Sequence, residues 1–337
     1  MKVLHYLVDA DRSGMATVVD GLCCAQPETV SGVVVQRWGP IVPDFKNRGI
    51  ETFVVDEITR SPANLKRLNV VLRSTDILNI HCCYFCPAAH SFARIFRIPK
   101  VVTLHWRTRL PHLRCPIICV STETARIQRE DNHCFVILNG VDLKTFAYSH
   151  KQFKSPVIVI RVCRPEKCAP YFWNAMASVL ESETAELWIV GEKGRSTEKI
   201  KYFGQQQNIQ RYLAKAHIFG YTPFPRAGAH DLVVLEAMAM GVVPVVADVP
   251  CIEDSVIHRK NGLRIPFGDA HGFARNVRHL CANHRFRENL SLGATLAVQE
   301  RFDIRGVAAK YIEVYRNILE GNAPYRGFTR RHPVSAK

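Results

Sequence analysis

Short apolar runs, separated by polar segments that carry glycine, recur along the chain from its first residues. The first run, Lys2–Val8, is dense enough for a strand buried on both faces of a parallel sheet. It ends in a polar stretch that reaches Gly14, after which apolar residues recur at helical spacing. Strands that alternate with helices in this way predict an α/β domain with a mostly parallel sheet. Further strands are predicted at 32–35, 51–55, 76–81, 100–105 and 116–121.

A second series of strands follows a polar stretch, 148–155, that lacks periodicity and predicts a linker. Its apolar runs lie at 157–162, 187–190, 217–221 and 242–247. We therefore predict two doubly wound, Rossmann-like domains that face each other across a cleft. The N-terminal, acceptor-side domain covers 1–147 and the C-terminal donor domain covers 155–302. A last helix at about 303–319 is expected to pack back on the first domain, and 320–337 form a basic tail.

The composition agrees with a folded protein and adds that the partner is expected to be anionic. The chain has 337 residues, of which 47% are hydrophobic, and this excludes a disordered or low-complexity protein. Lys and Arg number 45 against 30 Asp and Glu, which gives a formal net charge of +15. Such a charge says nothing about the fold, but it favours an anionic partner.

The cysteines predict a reducing environment. Most of the 12 cysteines lie beside apolar residues in a long chain, so we interpret them as buried thiols. The segment 81–86 (HCCYFC) contains ligand types for zinc, but core packing explains it better because no second pair of ligands follows at a fitting distance. The sequence also shows no signal peptide and no membrane span, so the expectation is a cytoplasmic protein.

The stretch 228–247 (GAHDLVVLEAMAMGVVPVVA) has the strongest chemical content. Its pattern predicts a loop, a short helix from about Leu232 that Gly241 ends, and a buried strand. Glu236 is the exception on this helix, because a carboxylate among apolar side chains must be paired, hydrogen-bonded or turned toward a ligand. The two hydroxyl groups of a ribose would suit it.

This stretch resembles the donor-nucleotide signature of retaining glycosyltransferase family 4 (glycosyl transferases group 1), which has the GT-B fold. Four other segments resemble parts of the same family. They are the Asn-Gly-Val-Asp segment 139–142, the strand 187–191 that ends in glycine, the short nucleobase-facing strand 202–204, and the C-terminal helix around 311–315. The resemblance spans about residues 1–319.

The resemblance implies a donor site in the second domain. Glu236 would bind the ribose, with Val234 and Leu235 beside it on the same helix. An arginine and Lys167, after the first strand of this domain, would stabilise the charge on a leaving diphosphate. The spacing admits Arg161 or Arg164 as that arginine, and we favour Arg164 because it is nearer the strand end. The alternative is that these residues are solvated loop cations.

In the first domain, the resemblance assigns roles to Gly14 and His105. Gly14 begins the first helix, where backbone N–H groups would face a diphosphate or the acceptor. His105 follows a strand and would lie next to the donor sugar; the alternative is a hydrogen-bonded histidine at a strand end. The basic run 106–114 that follows is either a solvated loop or a surface facing the acceptor or a membrane.

The chain departs from the family pattern at Gly228, where the signature has its first glutamate. The carboxylate that would face the sugar is therefore missing. His230 and Asp231 lie in the same loop and are expected to supply hydrogen bonds to sugar hydroxyls instead. This departure leaves open a non-catalytic protein that binds sugar nucleotides.

The resemblance implies a retaining transfer from a UDP- or GDP-sugar to a glycan or lipid-linked glycan, in surface polysaccharide or lipopolysaccharide biosynthesis. No metal and no cofactor are expected, since enzymes of this type need neither. The expected partners are the sugar nucleotide, the acceptor and an anionic membrane surface that holds the protein at its inner face. A nucleic-acid-binding protein is a rival suggested by the net charge alone.

Overall fold

The computed structural model describes residues 1–58, 61–151, 156–226 and 228–321. The chain forms two compact units. The first unit contains Met1–Ile137 together with the C-terminal part from Val307, and the second contains Leu138–Gly306. The helix near the C-terminus is thus part of the first unit. Most of the predicted basic tail, including Arg326, Arg330, Arg331 and Lys337, lies outside the described residues.

The first unit is built on a parallel sheet of seven strands in the order β3-β2-β1-β4-β5-β6-β7. Its strands are β1 (Val3–Leu7), β2 (Val30–Val35), β3 (Thr52–Val54), β4 (Ile77–Cys82), β5 (Lys100–Leu104), β6 (Ile117–Cys119) and β7 (Cys134–Val136). Its helices are α1 (Gly14–Ala25), α2 (Val42–Asn47), α3 (Val55–Ile58), α4 (Pro62–Arg73), α5 (Pro87–Ile95), α6 (Thr122–Arg126) and, from Val307 onward, α13 (Ile304–Leu319).

Both faces of this sheet are buried, as the dense apolar strands predict. On one face, Leu4 and Ile80 pack with Leu68 of α4 and Ala89 of α5. On the other face, Leu7 and Val33 pack with α1 and α2. The tyrosine side chains of α13 also reach this second face, where Tyr315 is hydrogen-bonded to Asn79 of β4.

The second unit is built on a parallel sheet of six strands in the order β10-β9-β8-β11-β12-β13. Its strands are β8 (Val157–Val162), β9 (Ala185–Val190), β10 (Ile200–Tyr202), β11 (Ile218–Tyr221), β12 (Val243–Asp248) and β13 (Leu263–Pro266). Its helices are α7 (Tyr171–Ser182), α8 (Gln210–Leu213), α9 (Leu232–Ala239), α10 (Pro250–Glu253), α11 (Ala270–Ala282) and α12 (His284–Arg301). The core packs Phe172 and Met176 of α7 and Phe273 of α11 against the strands.

The strand order reverses once in each sheet. In the first unit the reversal lies between β1 and β4, and in the second between β8 and β11. Open α/β sheets bind ligands at the carboxyl ends of the strands beside such a reversal. The loops after β8 and β11 contain Lys167 and Asp231, and His105 directly follows β5.

The structure confirms the predicted α/β class with two parallel sheets. The sequence did not indicate β7 and β13, which are short strands at the edges of the two sheets. Among the described residues, no helix combines the length and the apolar content that crossing a bilayer requires.

Candidate functional site

Glu236 is a buried carboxylate on an otherwise apolar helix. Only 9% of the residue is exposed, and its neighbours on α9 are almost all in the core. Within the described parts of the chain, the carboxylate has no hydrogen-bond partner. Burial raises the pKa of Glu236 from 4.5 to about 7. A carboxylate that is desolvated without a partner is unfavourable, so this position suits a ligand that donates hydrogen bonds.

The helix α9 ends at a glycine and has a buried core-facing side. Gly241, with φ of +74°, ends the helix in the left-handed region that glycine adopts most easily. Asp231 precedes the first helical residue, but its side chain makes no capping hydrogen bond. The side chains of Val234 and Leu235 are fully buried in the core. Their place beside the donor, which the resemblance implies, stays a prediction.

Asp231 lies where the loops after β8 and β11 meet. Its Oδ2 accepts hydrogen bonds from Oη of Tyr221 (3.1 Å) and from the thiol of Cys251 (3.3 Å). Burial raises the pKa of Asp231, while the charge of Lys167 and these hydrogen bonds oppose that shift. The electrostatic effect of Lys167 shows that the predicted phosphate-binding lysine and the acidic loop residue are neighbours.

The side chain of His230 is buried, and its two ring nitrogens bond other residues of the second unit. Its Nδ1 accepts from the backbone N–H of Asn139 (3.2 Å), while Nδ2 of Asn139 donates to the backbone carbonyl of His230 (3.0 Å). Because Nδ1 accepts, the proton is on Nε2, which donates to Oγ of Ser255 (2.8 Å). Burial lowers the pKa of His230 to about 4, so the ring is neutral at pH 7. Both ring nitrogens therefore have partners within the second unit, Nδ1 on the Asn-Gly-Val-Asp segment and Nε2 on Ser255, and a hydrogen bond from His230 to a sugar hydroxyl stays a prediction.

The two candidate arginines have very different surroundings. Arg161 lies in β8, is 2% exposed and forms an ion pair with Glu192. Its guanidinium also stacks over the rings of Phe172 and Trp173, with distances to the ring centroids of 5.1 and 4.7 Å. Arg161 thus has partners inside the second unit, and a role in phosphate binding stays a prediction for it.

Arg164 and Lys167 lie on the loop after β8. The side chain of Arg164 is exposed, and its Nε is 3.4 Å from the carboxylate of Glu166. Lys167 is half-buried and ends a short 3-10 turn, Pro165–Lys167. Both cations remain available for a ligand, since an exposed pair such as Arg164 with Glu166 is weak.

A cavity of about 400 Å³ opens beside this loop, within the second unit. Its walls come from the ends of β8 and β9 and from the segment after β10, and they include Arg164, Gly191, Gln205, Gln206 and Ile209. The sequence prediction placed the nucleobase-facing strand at 202–204, directly before the two glutamines. Reasoning from the sequence missed Gln205 and Gln206, although their position after that strand was a usable signal.

Two of the predicted residues lie in the first unit. Gly14 is exposed at the start of α1, where Oγ of Ser13 accepts from the N–H of Ala16 (3.5 Å). His105 is 9% exposed at the end of β5, and its Nε2 lies 3.0 Å from Nδ1 of His81. From the sequence, His81 was interpreted only within the segment 81–86, as part of the core packing, although a histidine inside an apolar strand was itself a signal.

The basic run after His105 is partly neutralised inside the first unit. Arg107 donates to Oε1 of Glu123 through Nε (3.0 Å) and through a terminal nitrogen (2.6 Å). Arg126 bonds the other oxygen of the same carboxylate at 2.8 Å. At least part of this positive charge therefore has an internal partner.

Comparisons with known proteins agree on the fold. A family model described as glycosyl transferases group 1 matches residues 155–283, within the second unit. N-acetyl-alpha-D-glucosaminyl L-malate synthase of Bacillus anthracis is 25% identical over 158 residues, which are 43% of this chain and 41% of that protein. The chain thus matches about two fifths of the length of this relative.

Solved structures match almost the whole chain. HepE of Anabaena, solved in complex with UDP, superposes with a TM-score of 0.76 at 15% identity, over 94% of this chain and 100% of that one. A glycosyltransferase of Rickettsia africae gives a TM-score of 0.76 at 14% identity, over 95% and 99% of the two chains. The chain therefore has the α/β fold of these glycosyltransferases, with two parallel sheets.

Proposed function

We propose that the protein is a retaining glycosyltransferase that moves a sugar from a UDP- or GDP-sugar to a hydroxyl group of a glycan or lipid-linked glycan. The observation that carries the proposal is the buried carboxylate of Glu236, which has no partner among the described residues, in the unit that matches glycosyl transferases group 1. HepE of Anabaena, whose fold is similar, was solved with UDP and with UDP-glucose. The pathway we propose is surface polysaccharide or lipopolysaccharide biosynthesis.

In this proposal each part of the donor, the ribose, the diphosphate, the nucleobase and the sugar, is bound by residues of the second unit. Glu236 accepts hydrogen bonds from the two ribose hydroxyls, which explains a carboxylate without a protein partner. Lys167 and Arg164 bind the diphosphate, and the cavity beside Arg164 receives the nucleobase. Asp231, whose pKa is raised by burial against the lowering effect of the charge of Lys167, bonds a sugar hydroxyl through Oδ1.

The chemical step needs stabilisation of the leaving diphosphate. Charge develops on its oxygens as the sugar–phosphate bond breaks, and the fixed cations Lys167 and Arg164 lower the energy of that state. The acceptor hydroxyl attacks the sugar on the same face, and a phosphate oxygen takes its proton. We propose that no metal ion takes part, so the chelator EDTA should leave the turnover unchanged.

Isothermal titration with UDP, GDP and ADP tests donor binding, and their sugar derivatives test turnover. One nucleotide should bind clearly, and the Glu236→Gln variant should weaken its binding about tenfold or more, because a charged acceptor of two hydrogen bonds is lost. Glu300→Gln, which changes an exposed carboxylate of α12, is the matched control. Equal binding by both variants, or no response to any nucleotide, would contradict the proposal.

Gly228 supports a second candidate, a protein that binds sugar nucleotides without turnover. Its φ of +90° and the short distance of 3.1 Å from a Cβ at this position to Oδ1 of Asp231 leave no easy place for the glutamate of the family signature. Binding of a donor together with no product from any acceptor would favour this candidate. Turnover that is lost in Lys167→Ala but kept in Lys215→Ala would exclude it.

A further inference from the structure

Three buried histidines form a continuous hydrogen-bonded chain across the sheet of the first unit. Nδ1 of His5 lies 2.9 Å from Nε2 of His81, and Nδ1 of His81 lies 3.0 Å from Nε2 of His105. His5 is on β1, His81 on the neighbouring β4, and His105 directly after β5. His5 is paired with Asn79, two residues before His81, and His81 is paired with Thr103, two residues before His105. Each ring therefore lies two residues nearer the carboxyl edge of the sheet than the one before it, and the row of three histidines ends at that edge.

The surroundings keep these rings neutral. His5 and His81 are 3% and 0% exposed, on the face that α1 and α13 cover. Burial lowers the pKa of His5 to about 4 and that of His105 to about 3. Burial, together with its two histidine neighbours, also lowers the pKa of His81 well below 6.5. In the described residues no carboxylate bonds any of the three rings. Each ring therefore carries one proton at pH 7.

One proton for each ring leaves only two consistent arrangements. If Nδ1 of His81 is protonated, it donates to Nε2 of His105, so His105 must carry its proton on Nδ1. Nε2 of His81 is then bare and accepts from His5, which is also protonated on Nδ1. The reverse choice places all three protons on Nε2. The geometry thus couples the tautomers of the three histidines.

The two end residues of the histidine row, His5 and His105, decide between the two arrangements. The outer nitrogens, Nε2 of His5 and Nδ1 of His105, have no partner among the described residues. An N–H without a protein acceptor is less unfavourable where water can reach it, and His105 is the more exposed end, at 9% against 3% for His5. The arrangement with all protons on Nδ1 is therefore favoured, and it makes His105 a donor at the carboxyl edge of the sheet.

We propose that the three histidines form one tautomer-coupled unit that presents the Nδ1–H of His105 to an acceptor oxygen of a bound ligand. In this unit His81 and His5 are positioning residues, because they determine which nitrogen of His105 carries the proton. The coupling is independent of the function proposed above. Only the assignment of the oxygen, to a hydroxyl or phosphate of the sugar nucleotide, rests on that function.

Nuclear magnetic resonance of protein with 15N-labelled histidine tests the coupling without any ligand. Long-range proton–nitrogen correlations distinguish the two neutral tautomers, and single variants assign the three residues among the 14 histidines. We expect His5, His81 and His105 to show the Nδ1–H form together. A mixed set of tautomers, or a charged ring in the unliganded protein at pH 7, would overturn the proposal.

Variants of the two positioning residues give the second test. His81→Phe removes the acceptor role imposed on Nε2 of His105, so the His105 signals should move toward the Nε2–H form. His5→Asn keeps a side-chain N–H for His81 and should preserve the tautomer of His105, whereas His5→Leu should not. Unchanged His105 signals in folded His81→Phe would contradict the coupling.

Binding measurements separate this proposal from the proposed function. With a nucleotide sugar that binds, His81→Phe and His5→Leu should weaken binding about three- to tenfold, which corresponds to one hydrogen bond, and His5→Asn should restore it. Coupled tautomers without an effect on binding would remove the ligand role of His105. A protein that binds no nucleotide but shows coupled tautomers would refute only the proposed function.

Discussion

At the scale of single residues, the group that we propose binds the ligand, Glu236, also lowers the stability of the folded protein at neutral pH. A carboxyl group whose pKa is raised by folding binds more protons in the folded state, so its stabilising effect is present at low pH and lost as the pH rises. For Glu236 this window runs from its unfolded value of 4.5 up to about 7. The residue therefore destabilises the unliganded protein at neutral and higher pH, which is expected of a group kept for a ligand.

The prediction is that Glu236→Gln stabilises the protein increasingly as the pH rises. Its advantage in the free energy of unfolding should grow by about 3 kcal/mol between pH 4.5 and 8, since each unit of pKa shift corresponds to about 1.4 kcal/mol. Urea unfolding of both proteins at several pH values measures this difference. The histidines contribute equally to both proteins, so they cancel. A difference that does not change with pH would show that Glu236 is hydrogen-bonded in solution.

Substitution of Arg164, after β8, should affect nucleotide binding, and substitution of Arg161, within β8, should affect the free energy of unfolding. Arg164→Ala should weaken nucleotide binding about tenfold and change the stability little, because its ion pair is exposed. Arg161→Ala should lower the stability by about 3 kcal/mol or more, since it leaves the carboxylate of Glu192 without its partner and opens space beside Phe172 and Trp173. Calorimetric titration and urea unfolding give the two quantities. A larger binding defect in folded Arg161→Ala would reverse the assignment.

At the scale of elements, two glycines in different loops of the second unit, Gly228 before α9 and Gly268 after β13, allow a matched comparison. Gly228 and Gly268 have nearly the same φ, +90° and +89°, but different space for a side chain. A Cβ at Gly228 would lie 3.1 Å from Oδ1 of Asp231, whereas nothing lies within 4 Å at Gly268. Both positions disfavour an L-amino acid by about 1–2 kcal/mol.

The comparison of Gly228→Ala with Gly268→Ala therefore isolates the contact with Asp231. Both variants should lower the free energy of unfolding by about 1–2 kcal/mol, because both adopt the left-handed backbone. Only Gly228→Ala should also weaken nucleotide binding, because the new Cβ forces the Asp231 carboxylate to shift. Equal binding in the two variants would show that the Asp231 carboxylate has no part in the donor site.

The elements also show how far the sequence could be interpreted. The buried strands β1, β4, β5, β8 and β12 were predicted within two residues at each end, because dense apolar runs have few other solutions. The edge strands β7 and β13 are short, and their pattern does not differ from that of a loop. Glu236 could be found because a lone carboxylate on an apolar helix is visible in the sequence.

Other parts of the site depend on contacts that a sequence does not show. His230 bonds Asn139, 91 positions away, and the histidine chain joins residues on three strands. Arg161 and Arg164 are both plausible from spacing alone, and only the direction of the side chain in β8 separates them. Such partners are determined by the order of strands in the sheet, which the pattern of one segment cannot give.

At the scale of the whole molecule, buried titratable groups are divided unequally between the two units. A histidine whose pKa is lowered by folding binds more protons when unfolded, so its contribution to stability is present above its unfolded pKa of 6.5 and is lost as the pH falls toward the folded value. The first unit contains His5, His81 and His105, all of which behave in this way. The second unit contains His230, and there Glu236 acts in the opposite direction.

Acidification from pH 7 to 5 should therefore weaken the first unit before the second. Hydrogen exchange followed by mass spectrometry at pH 7, 6 and 5, corrected for the intrinsic exchange rate, resolves the two sheets by their peptides. Strands β1 and β4 should lose protection by pH 5, while β8 and β12 keep theirs, and protection should return at pH 7. Earlier loss in β8 and β12 would mean that the three histidines are not neutral and buried together, because only protonation on unfolding makes the first unit the more acid-sensitive one.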